Sequence, residues 1–316
     1  MTAAVRVRVA AALRVACAVA CAVACAAGAA RADDDRGERR FAARPDVSVD
    51  VSAISGSVEI RGWDRDEVRV RVRGAGADAI EIEAGGGSEP ADWVAVRAPG
   101  RRGLWLGGGV DVDVRLDVPR ASEVRARIVN GPIRAKDVAG RLALHAANGR
   151  IEVRGEPAEA TLETMSADIE LRGRGTRVDA RSVSGAVELR GVADEVVVST
   201  VSGSIRVDGE ALERADLRSM SGSVELAGSL APDARVDLRS YSGSLTVELP
   251  ADASARFDVQ SFSGSIRSEL GASSRPDGAP ELGRPGGGRR VELVAGEGDA
   301  RVAIDTFSGS VRIEAR

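Results

Sequence analysis

A small-residue turn, most often Ser-Gly, recurs along the chain. Its second residue falls at Gly56, Gly131, Gly149, Ala167, Gly185, Gly203, Gly222, Gly243, Gly264 and Gly309. From Gly131 to Gly264 the steps are 18, 18, 18, 18, 19, 21 and 21 residues. A fixed period in this range marks a repeat architecture, and it restricts the fold more than any other feature. Five residues before the turn stand Leu144, Leu162, Ala180, Val198, Leu217, Leu238, Val259 and Ile304. Three before it stand the hydroxyls Thr164, Ser182, Thr200, Ser219, Ser240, Ser261 and Thr306. Two before it stand Met165, Val183, Val201, Met220, Tyr241, Phe262 and Phe307. Two and four after it come apolar pairs such as Val187/Leu189 and Val224/Leu226.

Alternation with period two on each side of the turn predicts strands of about five or six residues. The phase slips by one between the hydroxyl and the next apolar residue. We read the slip as a bend that lets both strands face one interior, which places the Met, Val and aromatic column in the core. A two-strand unit cannot bury its apolar face alone, whereas stacked units about 4.8 Å apart can. Connections as short as Gly191–Glu195 leave no room for crossover helices. These observations predict a parallel β-solenoid with coils of about 18–21 residues, right-handed by the general crossover preference, in a rod of nine or ten coils roughly 45 Å long. The competing fold is an antiparallel sandwich with Ser-Gly hairpins. Recurrence of identical positions at one period, without alternation between unlike units, favours the solenoid. The turn glycines Gly185, Gly203, Gly222, Gly243, Gly264 and Gly309 then serve a left-handed backbone and close stacking.

The flanks are organised differently. Arg6, Arg8 and Arg14 precede a short apolar run from Val15 to Ala27, and Ala30-Arg31-Ala32 follows. This is the pattern of a secretory signal peptide over residues 1–32, and the run is too short for a comfortable membrane span of ~20 residues. A retained N-terminal anchor and lipidation at Cys25 are the alternatives. The expected address is extracytoplasmic: periplasm, envelope or exterior. Residues 33–45 read as a flexible charged lead-in and 46–316 as the solenoid. Within it, 46–118 are irregular opening coils, 119–270 regular coils, 271–290 an exposed loop, and 291–316 the final coil. Strands are expected at Asp78–Glu83, Asp92–Arg97 and Val110–Val118.

The serial turns VSGAVEL, VSGSIRV, MSGSVEL, YSGSLTV, FSGSIRS and FSGSVRI, with the strand-then-proline segments Val114–Pro119 and Val247–Pro250, resemble a bacterial "putative adhesin" family of domains of unknown function. The similarity covers about residues 46–316. It implies an extracytoplasmic β-solenoid and supplies no catalytic residues.

Composition narrows the chemistry. All three cysteines, Cys17, Cys21 and Cys25, lie in the leader, so its removal leaves no thiol, and His145 is the single histidine. Cys-based catalysis, disulfides, Cys-ligated zinc and multi-His metal sites are excluded on that basis. Residues 1–32 hold four Arg and no acid, so the chain beyond them carries a net charge of −8. That balance argues against nucleic acid or anionic lipid as the main partner. The hydroxyl column is expected to hydrogen-bond along itself and to bend amides. Glu152, Glu170 and Glu188 stack beside Arg154, Arg172 and Arg190 as an ion-pair lattice. Asp216, Asp237 and Asp258 suggest a calcium column, which the interleaved Arg218 and Arg239 disfavour. Paired carboxylates for glycoside hydrolysis are disfavoured, since nearly every outward acid has an Arg neighbour in the repeat. Trp63, Trp93 and Trp105 are the ligand-contact candidates if they cluster outside.

The resulting expectation is a non-catalytic interaction scaffold, without cofactor or metal, for an unknown protein or cell-surface glycan. Carbohydrate binding or cleavage, and a calcium-stabilised module, are the alternatives. Because the chain ends at Arg316, soon after Ile313, the last coil is expected to be uncapped, so that either the 271–288 loop folds over it or another chain does.

Overall fold

The computed structural model describes residues 38–86, 90–98, 111–269, 273–275 and 289–316. The expected signal peptide 1–32, Cys25, Trp105 and most of the expected loop 271–290 lie outside the described residues. Those described form a parallel β-solenoid, with one short 3-10 turn at Ala77–Ala79. Equivalent positions stack in register: Val178, Val196, Ala215 and Val236 lie side by side, as do Ser182, Thr200, Ser219 and Ser240. On the second strand Ile169, Val187, Ile205, Val224 and Leu245 form the matching column. The Val178 and Ile169 columns are buried in one continuous core. Each added rung covers the apolar face of the previous one, which is why neither strand needs a second layer.

The order of rungs differs from the order of the chain at both ends. The strand Glu38–Trp63 pairs in parallel with Glu123–Asn130 on one side and with Ala91–Arg97 on the other. Its second half lies between Asp111–Pro119 and Ile133–Lys136. The strands Ala91–Arg97 and Asp111–Pro119 are therefore the outer rung, although they come second in sequence. The long gap between Gly56 and Gly131 holds this rung and its cover. Glu67–Gly74 pairs antiparallel with Asp111–Pro119, and Glu81–Gly85 with Ala91–Arg97. Residues 38–42, expected as part of a flexible lead-in, pair antiparallel with 67–71.

At the other end the last coil is not last in space. The strand Ala300–Ser308 sits between Val224–Ser242 and Ala255–Ser263, in parallel with both. Val311–Ala315 is likewise held between Leu245–Leu249 and Ile266–Ser268. The terminal rung is 255–268, and its first strand is covered by the antiparallel Arg289–Ala295. This corrects the expectation of an uncapped C-terminal coil. Within the predicted loop, Ser273–Arg275 pairs with the outer side of that covering strand. Antiparallel covers at both ends blunt the edges that a parallel stack leaves open.

The turn glycines are required chiefly by close approach. A Cβ on Gly203 would stand 2.1 Å from the Gly185 carbonyl oxygen, and one on Gly222 would meet the Gly203 oxygen at 2.1 Å. Gly222 also has a φ of +150°. The opposite corner admits Asp137, Asp194 and Asp233 at positive φ, which Asp tolerates better than most residues.

Candidate functional site

Strand alternation decides which columns face out. The residues five and three before the turn are both buried, so the residue two before must point to solvent. The apolar column is accordingly outside, not in the core as its hydrophobicity suggested. Tyr241 is 59% exposed, Met165 60%, Met220 58%, Phe262 50% and Phe307 44%. Val183 and Val201 are also exposed, and Ile54 and Val129 continue the stripe toward the N-terminal rungs. No interior force holds these side chains together, yet the repeat keeps them aligned along the rod.

The intercalated rung shapes the stripe. Phe307 stacks on Tyr241 with ring centroids 4.9 Å apart and on Phe262 at 4.8 Å, with interplanar angles of 2° and 5°. The rings lie face to face along the rod, so their edges meet solvent. Between this aromatic wall and the next outward column runs an open groove of about 630 Å³. Arg218, Arg239 and Gln260 line the opposite wall, and Arg289 and Arg290 from the covering strand stand at its end.

The hydroxyl column lies beneath. Thr164, Ser182, Thr200, Ser219, Ser240, Ser261 and Thr306 are 3–6% exposed. Only the Ser182 hydroxyl finds an acceptor, the Ala167 carbonyl at 3.5 Å. The other six hydroxyl oxygens are buried without a hydrogen-bond partner. The expected ladder of hydrogen bonds is thus not formed: stacked side chains at the strand spacing of ~4.8 Å hold their oxygens beyond hydrogen-bond reach. Ala53, Ile128 and Ala146 occupy the same column nearer the N-terminus, so the position does not require a hydroxyl. Replacing Thr200 by Val keeps the β-branch and removes a buried, unpartnered polar group. The expected outcome in thermal unfolding is unchanged or higher stability, by up to ~1 kcal/mol. A loss of that size would reveal a hydroxyl partner.

The remaining predicted positions are accounted for individually. Trp63 donates its indole N–H to the Glu67 carbonyl at 2.9 Å and carries the Arg69 guanidinium 4.6 Å from its ring centroid. Trp93 pairs opposite Ser48 and packs over Gly85. The two tryptophans belong to different strands of the coil and form no common patch. The ring Nδ1 of His145 lies 2.9 Å from Glu163 Oε2. Glu170 contacts Arg172 at 2.5 Å, and Glu188 pairs with Arg190. Asp216 holds Arg218 at 2.5 Å, Asp237 lies 3.5 Å from Arg239, and Asp258 accepts from Arg290. A cation on the Asp column would have to displace a guanidinium from each. Burial pushes the Asp179 carboxyl above its usual range, partly offset by Arg181. The hydrogen bond to Asp258 holds Arg290 still more firmly protonated.

Several solved structures show partial similarity to this chain. A protein from Parabacteroides distasonis ATCC 8503 described as a putative lipid binding protein is 12% identical, with a TM-score of 0.42, over 67% of this chain and 89% of that one. A putative adhesin from Parabacteroides merdae ATCC 43184 is 10% identical, with a TM-score of 0.38, over 87% and 95%. A putative cell adhesion protein from Clostridium sporogenes ATCC 15579 is 9% identical, with a TM-score of 0.25, over 88% and 99%. Among curated proteins none is similar enough to match. The stacked coils, the glycine corner and the model match over residues 46–314 place the chain in the Toastrack DUF4097 family.

Proposed function

We propose that this chain is a non-catalytic, extracytoplasmic interaction scaffold of adhesin-like kind, and that the outward apolar column is its contact face. The observation that supports this is the exposure of Met165, Met220, Tyr241, Phe262 and Phe307 along one line of the rod. Exposed apolar surface of this continuity marks interaction sites on soluble proteins. The other outward columns are occupied by Glu, Asp and Arg that pair with one another, which leaves them solvated and of little binding value. The leader at residues 1–32 supports export, and the stacked rungs supply a rigid display of the column.

The reading is tested with a photo-crosslinking residue placed in turn at Val183 and at Glu188 in intact cells. The column position should capture a specific neighbour and the charged-face position should not. Equal capture from both faces, or none from the column, would remove this role.

A further inference from the structure

We infer that the C-terminal third of the contact face is a binding groove for a long-chain anionic amphiphile, its hydrocarbon tail along Met220, Tyr241, Phe307 and Phe262 and its anionic head at Arg289. The inference rests on the reading of the outward column as a contact face, and it names the chemistry of one occupant.

Four observations converge on that chemistry. The groove floor is strand backbone whose amides and carbonyls are spent on neighbouring rungs, as between Asp237–Ser240 and Ala303–Thr306. It therefore offers no main-chain hydrogen bonds to an extended peptide, which normally docks by adding to a free strand edge. The aromatic rings stack on one another at 4.8–4.9 Å. Both faces of Phe307 and the inner faces of Tyr241 and Phe262 are consumed, which leaves a sugar ring little platform, whereas the ring edges form an apolar wall. The groove runs with the rod over the rungs bearing Thr200, Met220, Tyr241, Phe307 and Phe262, a length of roughly 19 Å at the strand spacing. A linear chain without hydrogen-bonding needs fits such a trough, and a volume of about 630 Å³ is in the usual range for small-molecule sites.

Charge selects the head group. The groove is lined by Arg218, Arg239, Arg289 and Arg290, against Asp305 as the one acid, in a chain whose overall charge is −4. Arg218, Arg239 and Arg290 are held by Asp216, Asp237 and Asp258, and Arg239 also lies 3.7 Å from Asp305. Arg289 has no ion-pair partner among the described residues. It opens the terminal side of the groove, where a carboxylate or phosphate would complete it. An isolated charge cluster would repel a cationic head group.

The test is calorimetric titration of the chain beyond the leader with dodecanoate below its micelle concentration. We expect one saturable site. Hexanoate should bind at least tenfold more weakly, because less hydrocarbon leaves water. Dodecyltrimethylammonium should show no saturation. The double substitution Tyr241→Ser with Phe307→Ser, and the single substitution Arg289→Ala, should each weaken dodecanoate at least tenfold without lowering the melting temperature, and Tyr241→Phe should retain binding. Absence of a saturable site, equal binding of the cationic analogue, retention of affinity in both weakened variants, or binding to anionic vesicles without binding to monomeric dodecanoate would each overturn the inference. Dodecanoate binding with no capture from Val183 in cells would remove the scaffold role and leave the groove. Capture without dodecanoate binding would do the reverse.

Discussion

Replacing Gly222 by alanine should lower the melting temperature by roughly 10 °C, from a cost on the order of 3–5 kcal/mol. The added Cβ would lie 2.1 Å from the Gly203 carbonyl oxygen and 2.7 Å from its carbon. Both are backbone atoms of the next rung, so no side chain can swing away. The φ of +150° adds strain of its own. Relief requires the bend to separate from its neighbour, which breaks the pairing in which the Gly203 amide donates to the Ser221 carbonyl at 3.1 Å. Gly191→Ala is the control. Its φ is +78°, but the nearest atom to a new Cβ is 3.5 Å away, so only conformational strain of about 1–2 kcal/mol remains. Thermal unfolding of both variants separates the two causes. Equal small losses would show that the corner glycines are not needed for close approach.

Ile304→Asp should remove protection from strands that precede it by many residues. Ile304 is fully buried, and its neighbours in the stack are Leu238 on one side and Val259 on the other. An unpaired carboxylate there costs about 4 kcal/mol or more. Ala255–Ser263 has one parallel neighbour, Ala300–Ser308, and Arg289–Ala295 hangs from Ala255–Ser263 in turn. Hydrogen exchange should therefore collapse across 255–261 and 289–295 as well as 300–308. The rungs up to Leu245–Leu249 should stay protected, since coils contact only their neighbours. Loss of protection confined to 300–316 would mean that the C-terminal coil is an end rung after all.

The outward column shows how a site can be written in a sequence and still be placed on the wrong side. Each of its members stood out as apolar, and hydrophobicity suggested the core. The period-two alternation already contained the answer, because Leu217 and Ser219 both face inward and leave Met220 no inward position. The buried serines carried the opposite signal for the same reason. Their environment is set by phase along the strand, not by polarity. The groove was less legible still, since one wall and the end cation come from different rungs and from the covering strand.

The repeat by itself determined that strands stack in parallel, how long each coil is, and which residues share a column, because identical positions recurring at one spacing favour stacked like units over a sandwich of unlike ones. It also determined where glycine must stand, since the corners approach within carbonyl contact. The order of the rungs was decided only in three dimensions. Coils that present the same columns are interchangeable partners for one another, so the pattern alone does not say which neighbours which. Phe307 lies between Tyr241 and Phe262 because packing and the antiparallel covers select one arrangement from several that the repeat allows.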